Sequence, residues 1–235
     1  MKLLTRSGRG SRLAASTAAA LSLLFVATAS PASAANPTLT VKYDAVGTSY
    51  IGSQVDSTLP IGPSELTTTL DLVDGKIVAG SLPIPTKQLQ FDVFGIPARA
   101  NVTLTQVGTL TGQLEQTDQL GKARLTSNVS YDIKISKVEA KVFGIWFPLS
   151  VGSNCHTIKP VNITASTPAG EFFTVNEGGR VTGNYTIGNF TGCTPLNFFD
   201  IPGFFPWFGS VPINALVPGS NNSIDLTISN PRYGG

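Results

Sequence analysis

The chain holds one histidine, His156, so any mechanism that uses an imidazole as general base must use that one. Ser153 lies three residues earlier in Gly152-Ser153-Asn154-Cys155-His156. Its hydroxyl and the imidazole would supply the nucleophile and base of an acyl-transfer site. Asp200, between Phe199 and Ile201, is the carboxylate with the most apolar neighbours; burial there would raise its pKa and fit it to acid–base work. Each residue also has a plainer role. His156 is then a polar residue beside a cysteine at a strand end, Ser153 a turn residue next to glycine, and Asp200 a loop carboxylate facing water or backbone N–H groups. Nearness in sequence does not make a triad, because triads are assembled in space. The Gly-x-Ser-x-Gly elbow of α/β-hydrolases is absent from the sequence.

Other chemistry is easily bounded. The sequence contains no calcium-loop pattern, no phosphate-cradling glycine loop and no His-x-x-x-His zinc pattern. No cofactor and no metal are therefore expected. The two cysteines, Cys155 and Cys193, pair best as one disulfide, since two thiols and His156 lack the spacing of a zinc site. Closing that loop would constrain the unfolded chain by about 4 kcal/mol on a chain-entropy account.

Six aromatic residues fall between Phe198 and Phe208: Phe198, Phe199, Phe204, Phe205, Trp207 and Phe208. Pro202, Gly203, Pro206 and Gly209 interrupt or border them, which excludes a helix interior or a central strand. The segment reads as an apolar loop anchored near Cys193. Two roles are open to it: a hydrophobic plug over one end of the domain, or an exposed flap that contacts an apolar lipid, a sterol ester or an apolar protein partner.

The first 34 residues read as an export leader. Lys2, Arg6, Arg9 and Arg12 precede an apolar stretch from Ala14 to Ala29, and Ala32-Ser33-Ala34 offers a signal-peptidase site before Ala35. The apolar run is too short and too often broken by hydroxyl residues to serve as a transmembrane anchor. The leader takes 4 of the 16 basic residues and none of the 14 acidic ones, leaving a formal charge of −2. That balance gives no reason to expect nucleic acid or an anionic surface as partner. The expected location is outside the cell or in the cell envelope.

The elements that must position these residues are strands. From Leu125 to Ile135 apolar and polar residues alternate, as they do from Ser223 to Ile228. Further strands are expected at 38–44, 48–55, 66–72, 76–82, 88–94, 99–107, 141–151, 160–166, 181–187 and 211–217. Asp74-Gly75 signals a hairpin with a tight primed turn. Val93-Phe94-Gly95-Ile96 is echoed by Val142-Phe143-Gly144-Ile145, either from two similar halves or from chance among glycine-rich hairpins. The spacing predicts an all-β fold over 35–235, an antiparallel β-sandwich or barrel-like single domain.

Several motifs together resemble a group of small actinobacterial secreted proteins known as Streptomyces cholesterol esterases. They are the Ala-Ser-Ala junction, residues 59–66 (Leu-Pro-Ile-Gly-Pro-Ser-Glu-Leu), Ser153-Asn154-Cys155, residues 178–187 (Gly-Gly-Arg-Val-Thr-Gly-Asn-Tyr-Thr-Ile) followed by Cys193, and residues 218–224 (Pro-Gly-Ser-Asn-Asn-Ser-Ile). The resemblance implies a secreted protein at lipid interfaces that hydrolyses carboxylic esters of sterols or fatty acids. It carries no catalytic signature onto named residues, and the aromatic insert before residue 211 departs from the shorter members. The alternative is a non-catalytic extracellular or envelope-associated binding or structural protein.

Overall fold

A computed structural model describes residues 35–234; the leader read at 1–34 lies outside them. Fourteen strands follow in order: β1 (Thr38–Ile51), β2 (Ser57–Asp71), β3 (Lys76–Ser81), β4 (Ile84–Val93), β5 (Ile96–Gln116), β6 (Ala123–Val142), β7 (Ile145–Leu149), β8 (Cys155–Thr157), β9 (Val161–Ser166), β10 (Gly179–Ile187), β11 (Phe190–Thr191), β12 (Leu196–Asn197), β13 (Ser210–Val211) and β14 (Gly219–Tyr233). A single turn of helix, α1 (Ile213–Leu216), precedes the last strand. The protein is all-β, as the alternation required, and residues from Asn36 onward form one compact unit.

Eight strands close into a ring. β6 pairs with β9, then the path runs through β10, β14, β1, β2, β3 and β5 before returning to β6, with every pairing antiparallel. Of the two architectures expected, the ring is the barrel. Closure removes the open edges that a sheet of this size would otherwise present. β4 adds to β5 outside the ring, β7 and β8 to β6, and β11 to β8.

Alternation decides which face is inside. In β6, Leu125, Val129, Tyr131, Ile133 and Ile135 are buried, while Thr126, Asn128 and Lys134 face solvent. An apolar interior with a polar exterior is the reverse of a membrane-spanning barrel. Among the described residues no helix is long and apolar enough to cross a membrane.

An eight-stranded barrel is just wide enough for its side chains to fill, and this one is filled. Two interior cavities of about 50 Å³ each remain, and Ile84, Ile163 and Ile224 line both. A cavity of about 150 Å³ is needed for even a benzene-sized ligand. The inner polar groups are paired: Tyr131 donates to the Leu82 carbonyl at 2.7 Å, and Ser49 and Tyr185 hydroxyls meet at 2.5 Å. Burial pushes the Tyr131 phenol well above its ordinary range.

Some expected boundaries moved. Segment 38–44 and the first half of 48–55 merge into β1, which ends at Ile51 and pairs with β2 from Thr38 and with β14 from Val41. β2 begins at Ser57, earlier than expected, because Pro60 pairs in register opposite Thr48, and Gly62 and Pro63 sit at a register slip instead of ending the strand. Segment 141–151 is the end of β6, a turn and β7. Segment 211–217 is not a strand: only Ser210 and Val211 pair, and Pro212 then leads into α1. The hairpin at Asp74-Gly75 is present, but its turn is wider than the tight form expected. The Asp71 carboxylate accepts from the Val73 and Asp74 amides and shapes it.

Candidate functional site

The aromatic segment belongs to a single excursion from the ring. β10 and β14 are antiparallel neighbours, with Ile187 opposite Gly219, so everything from 188 to 218 leaves and returns at one place. The Cys155–Cys193 disulfide forms and ties the start of this excursion to β8. Asn214 fixes its other limb, accepting from the Phe190 amide at 2.7 Å and donating to the Phe190 carbonyl at 3.0 Å. β12 and β13 then pair as a short stem, and the Phe198 amide donates to the Gly209 carbonyl at the loop's base.

Within that stem the six aromatics divide. Phe198 is fully buried, and Phe204 and Phe208 are half-buried against the core. Phe199 is 55% exposed, Phe205 83% and Trp207 86%. A 3₁₀ turn over Phe198–Asp200 separates Phe198 from Phe199. Phe198 and Ile201 point inward while the residues between point out, and the Asn197 side chain caps the turn on the Phe199 amide. One loop therefore carries both buried rings that plug the domain and rings exposed to solvent.

Two residues that the sequence reading left aside complete the face. β4–β5 and β6–β7 are hairpins whose two-residue turns are Phe94-Gly95 and Phe143-Gly144. All four turn residues have positive φ: 51° and 83° in the first, 53° and 80° in the second. That is the primed turn expected at Asp74-Gly75, appearing elsewhere. Phe94 packs on Phe208 and Trp207, with ring centroids 4.9 and 5.6 Å apart, and Phe143 meets Phe204 edge-on at 6.3 Å. Both remain largely exposed. A side chain added at Gly95, Gly144 or Gly203 would meet no heavy atom within 4 Å, so all three turns stand out in open space. The repeated Val-Phe-Gly-Ile was the signal. It marks two hairpins that present the same residue to the same place.

Comparison with protein-family models, curated proteins and solved structures finds no match.

The residues singled out for acyl transfer are not joined. Strand alternation in β8 turns Cys155 and Thr157 inward and His156 outward, where its Nδ1 lies 2.9 Å from the Asn154 carbonyl. Ser153 is exposed in the turn before β8 and has no hydrogen bond to His156. Asp200, expected to be useful only if buried, is exposed; its Oδ1 accepts from Asn197 Nδ2 at 2.7 Å. The 3₁₀ turn that buries Phe198 is what sends Asp200 out to water. Among the described residues no group of three His, Cys, Asp or Glu side chains is placed to hold a metal ion.

Proposed function

We propose that this chain is an exported barrel that docks on lipid surfaces through its aromatic tip, without hydrolysing what it binds. One observation carries this: three segments distant in sequence bring Phe94, Phe143, Phe199, Phe205 and Trp207 to one exposed end. Exposed aromatic surface on this scale has a cost in water unless something covers it. Lipid suits the geometry better than an apolar protein partner, because separate projecting turns enter a fluid layer more readily than they fill a rigid complementary surface. Tryptophan and phenylalanine also partition well at the membrane boundary. The filled barrel interior offers no competing site for an apolar ligand of useful size.

Against the ester hydrolysis implied by the resemblance stands the placement of Ser153, His156 and Asp200, which form no hydrogen-bonded relay. Flotation of the mature protein with uncharged phospholipid vesicles tests the reading. Co-flotation is expected, and its loss in a Trp207→Ala/Phe205→Ala variant. Equal flotation of the variant would remove the tip from the interaction. Turnover of cholesteryl or p-nitrophenyl esters above a heat-killed control, abolished by His156→Ala, would replace this reading with the enzymatic one.

A further inference from the structure

Beside the tip lies an open groove of about 680 Å³, within the size range of small-molecule sites. Its walls come from the β1–β2 connection, the end of β4, and the facing parts of β5, β6 and β7. Phe94 belongs both to this groove and to the aromatic tip, so the two are continuous. Asp56, Gln90, Asp92 and Lys141 are among the residues that line it. Asp92 has no hydrogen bond to a described residue, and Asp56 uses one oxygen to accept from the Tyr50 hydroxyl at 2.6 Å. A carboxylate has about four lone-pair sites, so both retain accepting capacity.

We propose that this groove takes the phosphoethanolamine headgroup of a phospholipid whose chains lie against the tip. The proposal rests on the lipid-docking reading of the tip and names what that surface would select. A headgroup with an ammonium and a phosphate matches walls that carry carboxylates and a lysine. The ammonium donates to Asp92 and Asp56, and Lys141 faces the phosphate. A primary ammonium fits better than choline for a reason visible in the groove. Quaternary ammonium groups need free aromatic faces. Here the Trp146 ring carries the Arg99 guanidinium at 4.3 Å and the Lys141 ammonium at 5.8 Å, and Phe91 packs against the core. Of the rings lining the groove only Phe94, tilted against Trp207 and Phe208, stays open, so the walls form no aromatic cage. The free carboxylate oxygens of Asp92 and Asp56 instead reward N–H donors.

Trp207→Phe leaves Trp146, in the groove wall, as the chain's one tryptophan. Titrating soluble O-phosphoethanolamine into that variant should change Trp146 fluorescence saturably. Phosphocholine should bind several-fold more weakly, and adding Asp92→Asn should weaken phosphoethanolamine about tenfold. With the otherwise native chain, phosphatidylcholine vesicles containing phosphatidylethanolamine should bind more tightly than pure phosphatidylcholine, and Asp92→Asn should erase only that increment. No saturable signal, equal response to phosphocholine, or an unaffected Asp92→Asn variant would overturn the proposal. So would binding of the soluble compound without any vesicle increment, which would make the groove a site for a free amino-alcohol phosphate. The titration uses no vesicle, so its failure leaves tip docking standing. Loss of flotation in Trp207→Ala/Phe205→Ala tests the tip separately.

Discussion

Replacing Phe143 by asparagine should make the protein no less stable while weakening its hold on lipid. Phe143 sits at φ 53° in a two-residue turn followed by Gly144. A left-handed backbone costs an ordinary residue about 1–2 kcal/mol, and asparagine largely escapes that cost. Against this relief stands one edge-on contact with Phe204 at 6.3 Å, worth about 0.5–1 kcal/mol. The balance lies between about zero and +1.5 kcal/mol, a Tm change of roughly 0 to +6 °C for a domain of this size. Binding behaves differently. Phe143 is 73% exposed. Taking a phenylalanine's surface as ~200 Å², about 150 Å² is free, worth at most ~3.7 kcal/mol if wholly transferred to lipid. Half-depth insertion leaves about 2 kcal/mol, or roughly a 25-fold weaker vesicle affinity. Thermal unfolding and flotation on the same preparation give both numbers. A Tm that falls by more than about 3 °C would refute the backbone-strain reasoning. Unchanged flotation would refute the placement of Phe143 at the lipid.

The other expectations are briefer. Reducing Cys155–Cys193 should lower stability by up to about 4 kcal/mol, seen as a Tm drop on the order of 10 °C in reductant. Asn214→Ala should cost about 1–3 kcal/mol, because the Phe190 amide and carbonyl both lose their partner; denaturant midpoints measure it. Acid should destabilise the fold in a defined window. Backbone amides and Asn36 hold the Asp71 carboxyl below its usual range, and Asn230 and Arg232 do the same for Asp44. Arg180 does so for Asp225, and Lys42, followed by Arg232, for Glu65. Folded pKa values lowered in this way give stability that is complete above the unfolded carboxylate range of about 4 and lost as pH falls through the folded values. Tm should therefore be level from pH 6 down to about 5 and decline below about 4; a flat profile to pH 2 would contradict it.

Much of the fold was legible because alternation is a one-dimensional signal. Leu125 to Ile135 has one buried and one wet face, and β6 keeps it that way. Ring closure was not legible, since pairing β5 with β6 while β3 also reaches β5 depends on strand lengths and bulges. Gly108, at φ 74° beside the register slip in β5, is one such bulge. Residues 211–217 show the opposite failure. Their apolar character suited a strand, but Asn214 is taken up by Phe190, and the chain turns through α1 to cover the barrel end with Ile213 and Leu216. At the candidate site, the aromatic run was visible and its division was not. That Phe198 is buried and Phe199 is not follows from a 3₁₀ turn, and which neighbours the rings meet follows from hairpins a hundred residues earlier in one case.

The excursion from 188 to 218 leaves the ring and rejoins it at facing positions. Its length and composition can therefore change without shifting the register of any ring strand. The barrel then acts as a constant mount and the excursion as an interchangeable cassette, limited by the need to keep its tie to β8 and a cap such as Ile213 and Leu216 over the barrel's end. Related chains with the same ring and a different insert would be expected to address different surfaces, and grafting one insert onto another's ring offers a direct route to redirecting what the protein touches.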